Sequence, residues 1–182
     1  MQSESRALHS VWLCPEANIA SKLKAIVEQL AERQRAPSFD PHITLLGEIS
    51  APWEMTLRAC KTLFGVHGPI EARVQGMARS TTFFKALTID LALPQSILDA
   101  RAELATELGQ TNAPDFQPHL SLAYGPLPLG YQDDLPDSFA GAIPGMTLCL
   151  DRLVVVRSAN AIPIEDWTRL EELPLNARPR RP

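Results

Sequence analysis

Apolar and polar positions along the chain alternate between two periods, which mark short strands and longer helices. Residues 9–14, from His9 to Cys14, read as a strand that Pro15 ends, because proline cannot donate to a ladder. From Asn18 to Gln34 the apolar residues Ile19, Leu23, Ile26, Val27 and Leu30 recur at helical spacing, and Asn18 is the expected N-cap. Ala36-Pro37-Ser38 is a turn. Ser50-Ala51-Pro52 opens a second helix, with proline near its first position, that runs to about Phe64 and stops at Gly65. Residues 70–79 and 82–91 read as a hairpin, on the loose alternation of Ile70, Ala72 and Val74 and then of Phe84, Ala86 and Thr88. Pro94 opens a third helix, with Ile97, Arg101, Leu104 and Leu108 on one stripe and Gly109 just past its end. A loop at 125–130, a short helix near 131–139, a long apolar strand at 146–157 and a last strand at 165–173 complete the pattern. The polar start, residues 1–7, and the basic tail at 177–182 are expected to be loose.

Two remaining segments share one frame. Phe39-Asp40-Pro41-His42-Ile43-Thr44-Leu45 recurs in the second half of the chain as Phe116-Gln117-Pro118-His119-Leu120-Ser121-Leu122. The residues after each His are rich in Ile, Leu and Thr, as strands are. Alternate strand residues share a face, so His42 and Thr44 point one way while Ile43 and Leu45 point the other. His119 and Ser121 stand apart from Leu120 and Leu122 in the same way. A lone His on a strand is usually structural. A hydrophobic core has no use for an imidazole and a hydroxyl at matching places in two halves of a chain, whereas a site on a pseudo-two-fold axis does. His9 and His67 lie outside the frame.

A helix precedes each His strand, and strands and helices interleave imperfectly. The expected class is therefore α+β with largely antiparallel pairing rather than a doubly wound parallel sheet. The 182 residues suit one domain, or two small lobes sharing a core. A net charge of −4 argues against a broad footprint for long nucleic acid, though a small phosphorylated ligand needs only a local positive pocket. Cys14, Cys60 and Cys149 have no metal spacing and no disulfide pattern, so free, mostly buried thiols are expected. The sequence shows no signal peptide and no apolar run long enough to span a membrane. The chain therefore reads as cytoplasmic, away from membranes, and a monomer is expected. Gly-rich phosphate loops and zinc-type His or Cys pairs are absent, and neither metal nor cofactor is expected.

Two facing histidines can divide one proton-transfer task, one taking a proton from water while the other gives one to a leaving oxygen. The hydroxyls of Thr44 and Ser121 can donate to an oxyanion that gains charge in the transition state. The set suits in-line attack at phosphorus. Acyl transfer fits less well, because neither hydroxyl sits in a nucleophile elbow and no acidic third member recurs.

Pro-His-Ile-Thr and Pro-His-Leu-Ser resemble the paired His-x-Thr/Ser signatures of the 2H phosphoesterases. Ser10-Val11-Trp12, Thr82-Phe83-Phe84, Tyr124, Arg152-Leu153 and Trp167 are similar to the cyclic phosphodiesterase branch of plants and fungi, so the resemblance spans nearly the whole chain. It implies a single bilobal domain over 1–182, with two antiparallel-sheet lobes, flanking helices, one motif per lobe and a cleft on the pseudo-two-fold axis. It implies metal-free hydrolysis of ADP-ribose 1″,2″-cyclic phosphate to ADP-ribose 1″-phosphate, and of nucleoside 2′,3′-cyclic phosphates to 2′-phosphates. By the same resemblance His42 and His119 are the acid–base pair, Thr44 and Ser121 bind phosphate, and Trp12, Phe84 and Tyr124 wall the substrate. Simple alternation puts Tyr124 on the face opposite His119, so a bulge or turn has to re-aim it. Whether Lys85 faces the phosphate is open. So are two rivals: an RNA-end 2′,3′-cyclic or 2′-5′ phosphodiesterase of another branch, and a non-catalytic nucleotide or RNA-end binder.

Overall fold

The computed structural model describes residues 8–110, 115–126 and 146–176. The expected loose start, most of the loop at 125–130, the short helix at 131–139 and the tail at 177–182 lie outside these residues. Strands and helices follow in the order β1 (His9–Pro15), α1 (Ala17–Gln34), β2 (Ile43–Ile49), α2 (Trp53–Phe64), β3 (Ile70–Arg79), β4 (Leu87–Ala92), α3 (Gln95–Glu107), β5 (His119–Ala123), β6 (Thr147–Arg157) and β7 (Thr168–Pro174).

All the strands join one antiparallel sheet, ordered β2-β1-β6-β3-β4-β5, with β7 also on β6. The long strand β6 splices the two halves. Its residues Leu150–Val156 pair β1, and its N-terminal residues Thr147–Leu150 pair β3. The order reads the same from either end: a motif strand, the antiparallel neighbour that a helix joins to it, then an inner strand. The motif strands β2 and β5 stand at opposite ends of this order yet touch, so the sheet curls until its ends meet. The helices cross between halves. The helix α1 precedes the first motif but packs on β5, whereas α3 precedes the second and packs on β2. This is the expected α+β architecture, with the two halves fused in one curled sheet.

The periodicities explain which faces are buried. Helix α1 buries Leu23, Ile26, Val27, Leu30 and Ala31, the i, i+3, i+4, i+7, i+8 stripe of a helix with one face on a core. On β1, Val11 and Leu13 enter the main core, while Trp12 and Cys14 pack on the other face with Val154 and Val156. Cys14 and Cys60 are free and buried, and burial pushes both thiols up to about 12, while Cys149 is free and half-buried.

Three local expectations need correction. Asn18 is not the N-cap of α1; Glu16 is, with no side-chain cap bond. Pro15 ends β1 directly at the helix and the Glu16 N–H is taken by the Cys149 carbonyl, so Asn18 falls inside the first turn. The strand expected at 82–91 begins only at Leu87. Ser80 accepts the Thr82 N–H at 2.8 Å, and Phe83–Lys85 forms a 3-10 turn. A Ser-Thr-Thr run offers the backbone such side-chain partners in competition with a ladder. The last strand likewise starts at Thr168, after a 3-10 turn at Ile164–Asp166 behind Pro163.

Candidate active site

Each motif histidine is held by the same local device. The His42 Nδ1–H donates to the Asp40 carbonyl at 2.6 Å, and the His119 Nδ1–H donates to the Gln117 carbonyl at 2.8 Å. A carbonyl can only accept, so Nδ1 carries the proton in both rings and Nε2 is the basic nitrogen of the neutral form. Pro41 and Pro118 stand between donor and acceptor. Proline fixes its own φ and keeps the preceding residue extended, which aims that residue's carbonyl at the ring.

Both histidines line one cleft of about 680 Å3, as do Thr44 and Ser121. Trp12, Phe84 and Tyr124 line it too, so all the expected site residues come together. The rings of Trp12 and His42 stack at 3.6 Å with 7° between their planes. Tyr124 reaches the cleft from just beyond β5. Leu87 pairs Ala123 while Thr88 pairs Ser121, so Leu122 is an extra residue on β5 that shifts the alternation. Gly125 follows at φ +82°, a conformation that disfavours any Cβ, and its N–H bonds the Phe83 carbonyl at 2.8 Å. Tyr124 then lies on Phe39, the frame's first Phe, with centroids 3.7 Å apart. The matching Phe116 serves another purpose, carrying the Arg101 guanidinium at 4.2 Å.

The two hydroxyls differ. Ser121 donates to the Phe84 carbonyl at 2.9 Å, whereas Thr44 stands opposite Trp12 in the β1–β2 ladder and has no side-chain hydrogen bond among the described residues. The two imidazoles differ as well. Burial pushes His42 down to about 4; the Asp40 carbonyl and carboxylate resist, and the charges of His119 and Arg169 add to the fall. His119, only half-buried, is also lowered by burial, with the Gln117 carbonyl opposing, Lys85 lowering it further and Asp90 raising it. Burial raises the Tyr124 phenol, which therefore stays protonated at neutral pH.

Sequence reasoning missed some of the surroundings. Trp167, matched only as part of the resemblance, lines the cleft within 5.6 Å of Trp12 and 6.1 Å of Phe84, centroid to centroid. Its signal was an indole in an otherwise charged stretch. Asp40 has no role in the sequence reading, yet its carboxylate meets Lys24 at 3.2 Å and Arg169 at 2.7 Å. Among the described residues, no group of three or more His, Cys, Asp and Glu could hold a metal ion. No helix among them is long and apolar enough to cross a membrane.

The model of the 2′-5′ RNA ligase superfamily matches residues 14–161, a span that contains both motifs. The chain belongs to this family, the 2H phosphoesterases. A relative from Arabidopsis thaliana, named cyclic phosphodiesterase, is 22% identical over 97% of this chain and 99% of its own. Among solved structures, a Thermus thermophilus protein superposes with a TM-score of 0.57 at 17% identity, over 92% of this chain and 97% of that one. E. coli LigT in its apo form gives a TM-score of 0.52 at 14% identity, over 93% and 98%. The fold read from the two motifs is thus that of known 2H phosphoesterases. The family and the relative's name bear out the expected class, a hydrolase of phosphoric diesters.

Proposed function

We propose that this 2H phosphoesterase is a cyclic phosphodiesterase that opens ADP-ribose 1″,2″-cyclic phosphate to ADP-ribose 1″-phosphate and nucleoside 2′,3′-cyclic phosphates to 2′-phosphates. The observation that carries this reading is the pair of imidazoles in one cleft, each with Nδ1 bonded to the carbonyl two residues back and Nε2 left as its basic nitrogen. One Nε2 takes a proton from water as the oxygen attacks phosphorus. The other histidine, protonated, gives its proton to the ester oxygen opposite, so one P–O bond forms, one breaks and the ring opens to a phosphate and a hydroxyl. Thr44 and Ser121 donate to the phosphoryl oxygens, Ser121 by turning its proton away from the Phe84 carbonyl. Trp12, Phe84 and Tyr124 supply flat apolar surface for the nucleoside.

The substrate class is supported by the relative's name and by the E. coli LigT structures with 3′-AMP and with ATP. In this reading residues 1–182 form one bilobal domain, a cytoplasmic monomer that acts on small nucleotides without metal or cofactor and not on long RNA, in keeping with the net charge of −4. The test is turnover of 2′,3′-cyclic AMP followed by phosphorus NMR, with EDTA present and absent. A 2′-phosphate product at equal rates is expected. A 3′-phosphate would reverse the binding mode, loss of rate in chelator restored by a divalent cation would overturn the metal-free mechanism, and binding without turnover would leave a non-catalytic binder.

A further inference from the structure

Lys85 ends the 3-10 turn Phe83–Lys85 and lines the cleft together with His119 and Ser121. Two bonds pin that turn to the second motif strand: the Gly125 N–H to the Phe83 carbonyl at 2.8 Å, and the Ser121 hydroxyl to the Phe84 carbonyl at 2.9 Å. A third, from the Lys85 N–H to the Thr82 carbonyl at 3.0 Å, closes the turn itself. The backbone that carries the lysine is therefore fixed beside His119, although its side chain is exposed.

The other cation of the lining is committed. Arg101 gives Nε to the Leu45 carbonyl at 2.9 Å and lays its guanidinium on Phe116. Lys24 and Arg169, which line a smaller cavity that shares Trp12 with the cleft, are paired with Asp40. Lys85 has no ion pair and no side-chain hydrogen bond among the described residues. The chemistry needs such a charge. A phosphodiester enters with one negative charge and gains a second as water attacks, and the one proton of Ser121 is given to the Phe84 carbonyl.

We propose that Lys85 is the cation that receives the phosphoryl group, on the His119 side of the cleft. The proposal rests on the reading of this cleft as a phosphodiester site, and extends it with a residue of different chemistry: a mobile point charge on a rigid turn, suited to an anion of changing shape. The same ammonium lowers the proton affinity of His119 in the empty enzyme, with Asp90 acting in the opposite sense. A bound phosphoryl group would neutralise the lysine and let His119 take up its proton, which couples phosphate binding to the protonation of that ring.

Inorganic phosphate binding is measured by NMR on the full chain, for the wild type, Lys85→Gln and Lys85→Arg, alongside turnover of 2′,3′-cyclic AMP and titration of His119. Lys85 is exposed, so neither change disturbs the core. Lys85→Gln should weaken phosphate about 10-fold or more and lower kcat/KM about 10- to 100-fold, while Lys85→Arg keeps most of both. The Gln variant should also raise the His119 midpoint in the protein without phosphate, and phosphate should then add a smaller further rise. Phosphate binding and kcat/KM unchanged in Lys85→Gln, or no phosphate binding by the wild type, overturns the proposal. Lys85-dependent phosphate binding without any turnover upholds it and overturns the proposed catalytic activity instead.

Discussion

The imidazole of His42 lies flat on the indole of Trp12, ring centroids 3.6 Å apart. One indole face thus removes water from one face of the ring. Burial disfavours the imidazolium, whereas the π-face of an indole favours a cation, by about 0.5–2 kcal/mol. The fall of His42 from 6.5 to about 4 represents roughly 3 kcal/mol at about 1.36 kcal/mol per unit, so burial prevails. Trp12→Ala should therefore raise the His42 midpoint toward 6.5, while Trp12→Phe keeps a flat apolar cover and a low midpoint. NMR titration of the His42 ring checks both. An unchanged midpoint in Trp12→Ala would show that the indole is not what dries the ring.

The rate should depend on pH as a bell lying on the acid side of 6.5. The base must be neutral, so rate is lost as pH falls through its midpoint; the acid must be protonated, so rate is lost as pH rises through its own. Both midpoints are lowered: His42 by burial against the pull of Asp40, with Arg169 and His119 adding to the fall, and His119 by burial and Lys85 against Asp90. In kcat/KM these belong to the free enzyme and to the pair rather than to either ring. An optimum at pH 7 or above would contradict the lowered pair.

Stability should fall between pH 6.5 and 4. A histidine whose folded midpoint lies below its unfolded one binds a proton more readily when unfolded, so stability is complete above 6.5 and is lost as pH drops toward about 4. For His42 the loss is roughly 3 kcal/mol, and His119 adds to it in the same sense. Urea unfolding at the two pH values, for the wild type and His42→Phe, isolates the His42 share. Equal losses in both proteins would assign it elsewhere.

Asp40 links His42 to a distant strand. Its carbonyl holds Nδ1 at 2.6 Å, and its carboxylate is gripped by Lys24 of α1 and Arg169 of β7. Gln117, behind His119, has no such clamp among the described residues. Exposed ion pairs are worth about 0.2–1 kcal/mol, so Arg169→Met should hardly change the unfolding midpoint. It should lower kcat about 10-fold with little change in KM, because a loosened Asp40 carbonyl lets the His42 ring drift from its working orientation. A change in KM alone would make Arg169 a substrate contact rather than a positioning residue.

His42→Ala and His119→Ala should each nearly abolish turnover, and the double variant should be little worse than the weaker single, because the two act as one unit. Thr44→Ala and Ser121→Ala should lose less, about 10²–10³-fold each. His9→Ala and His67→Ala should leave the chemistry intact, although His9 bonds Thr56 at 2.9 Å inside the protein and its loss costs stability. Wild-type rate in either motif variant would dismiss the paired mechanism.

Much of this was local, and so legible in the chain. The order of strands and helices followed from apolar spacing, as did the faces of Ile43, Leu45, Leu120 and Leu122. The x-Pro-His frame contains its own orienting carbonyl, so the repeated proline carried a signal for the tautomer as well as for a strand start. Departures occurred where side chains compete with a ladder, at Ser80–Thr82, and where an extra residue flips alternation, before Tyr124. Whether two imidazoles so far apart in the chain come together is a different matter, because no spacing in the sequence encodes the curl of a sheet. That was decided by β6 splicing two halves and by α1 and α3 packing across them. Tertiary structure also made the repeats unequal: an indole covers His42 while Lys85 and Asp90 attend His119, and Ser121 is tied where Thr44 is not. These differences arise from neighbours on other strands and turns, and a short repeated frame cannot specify what packs against it.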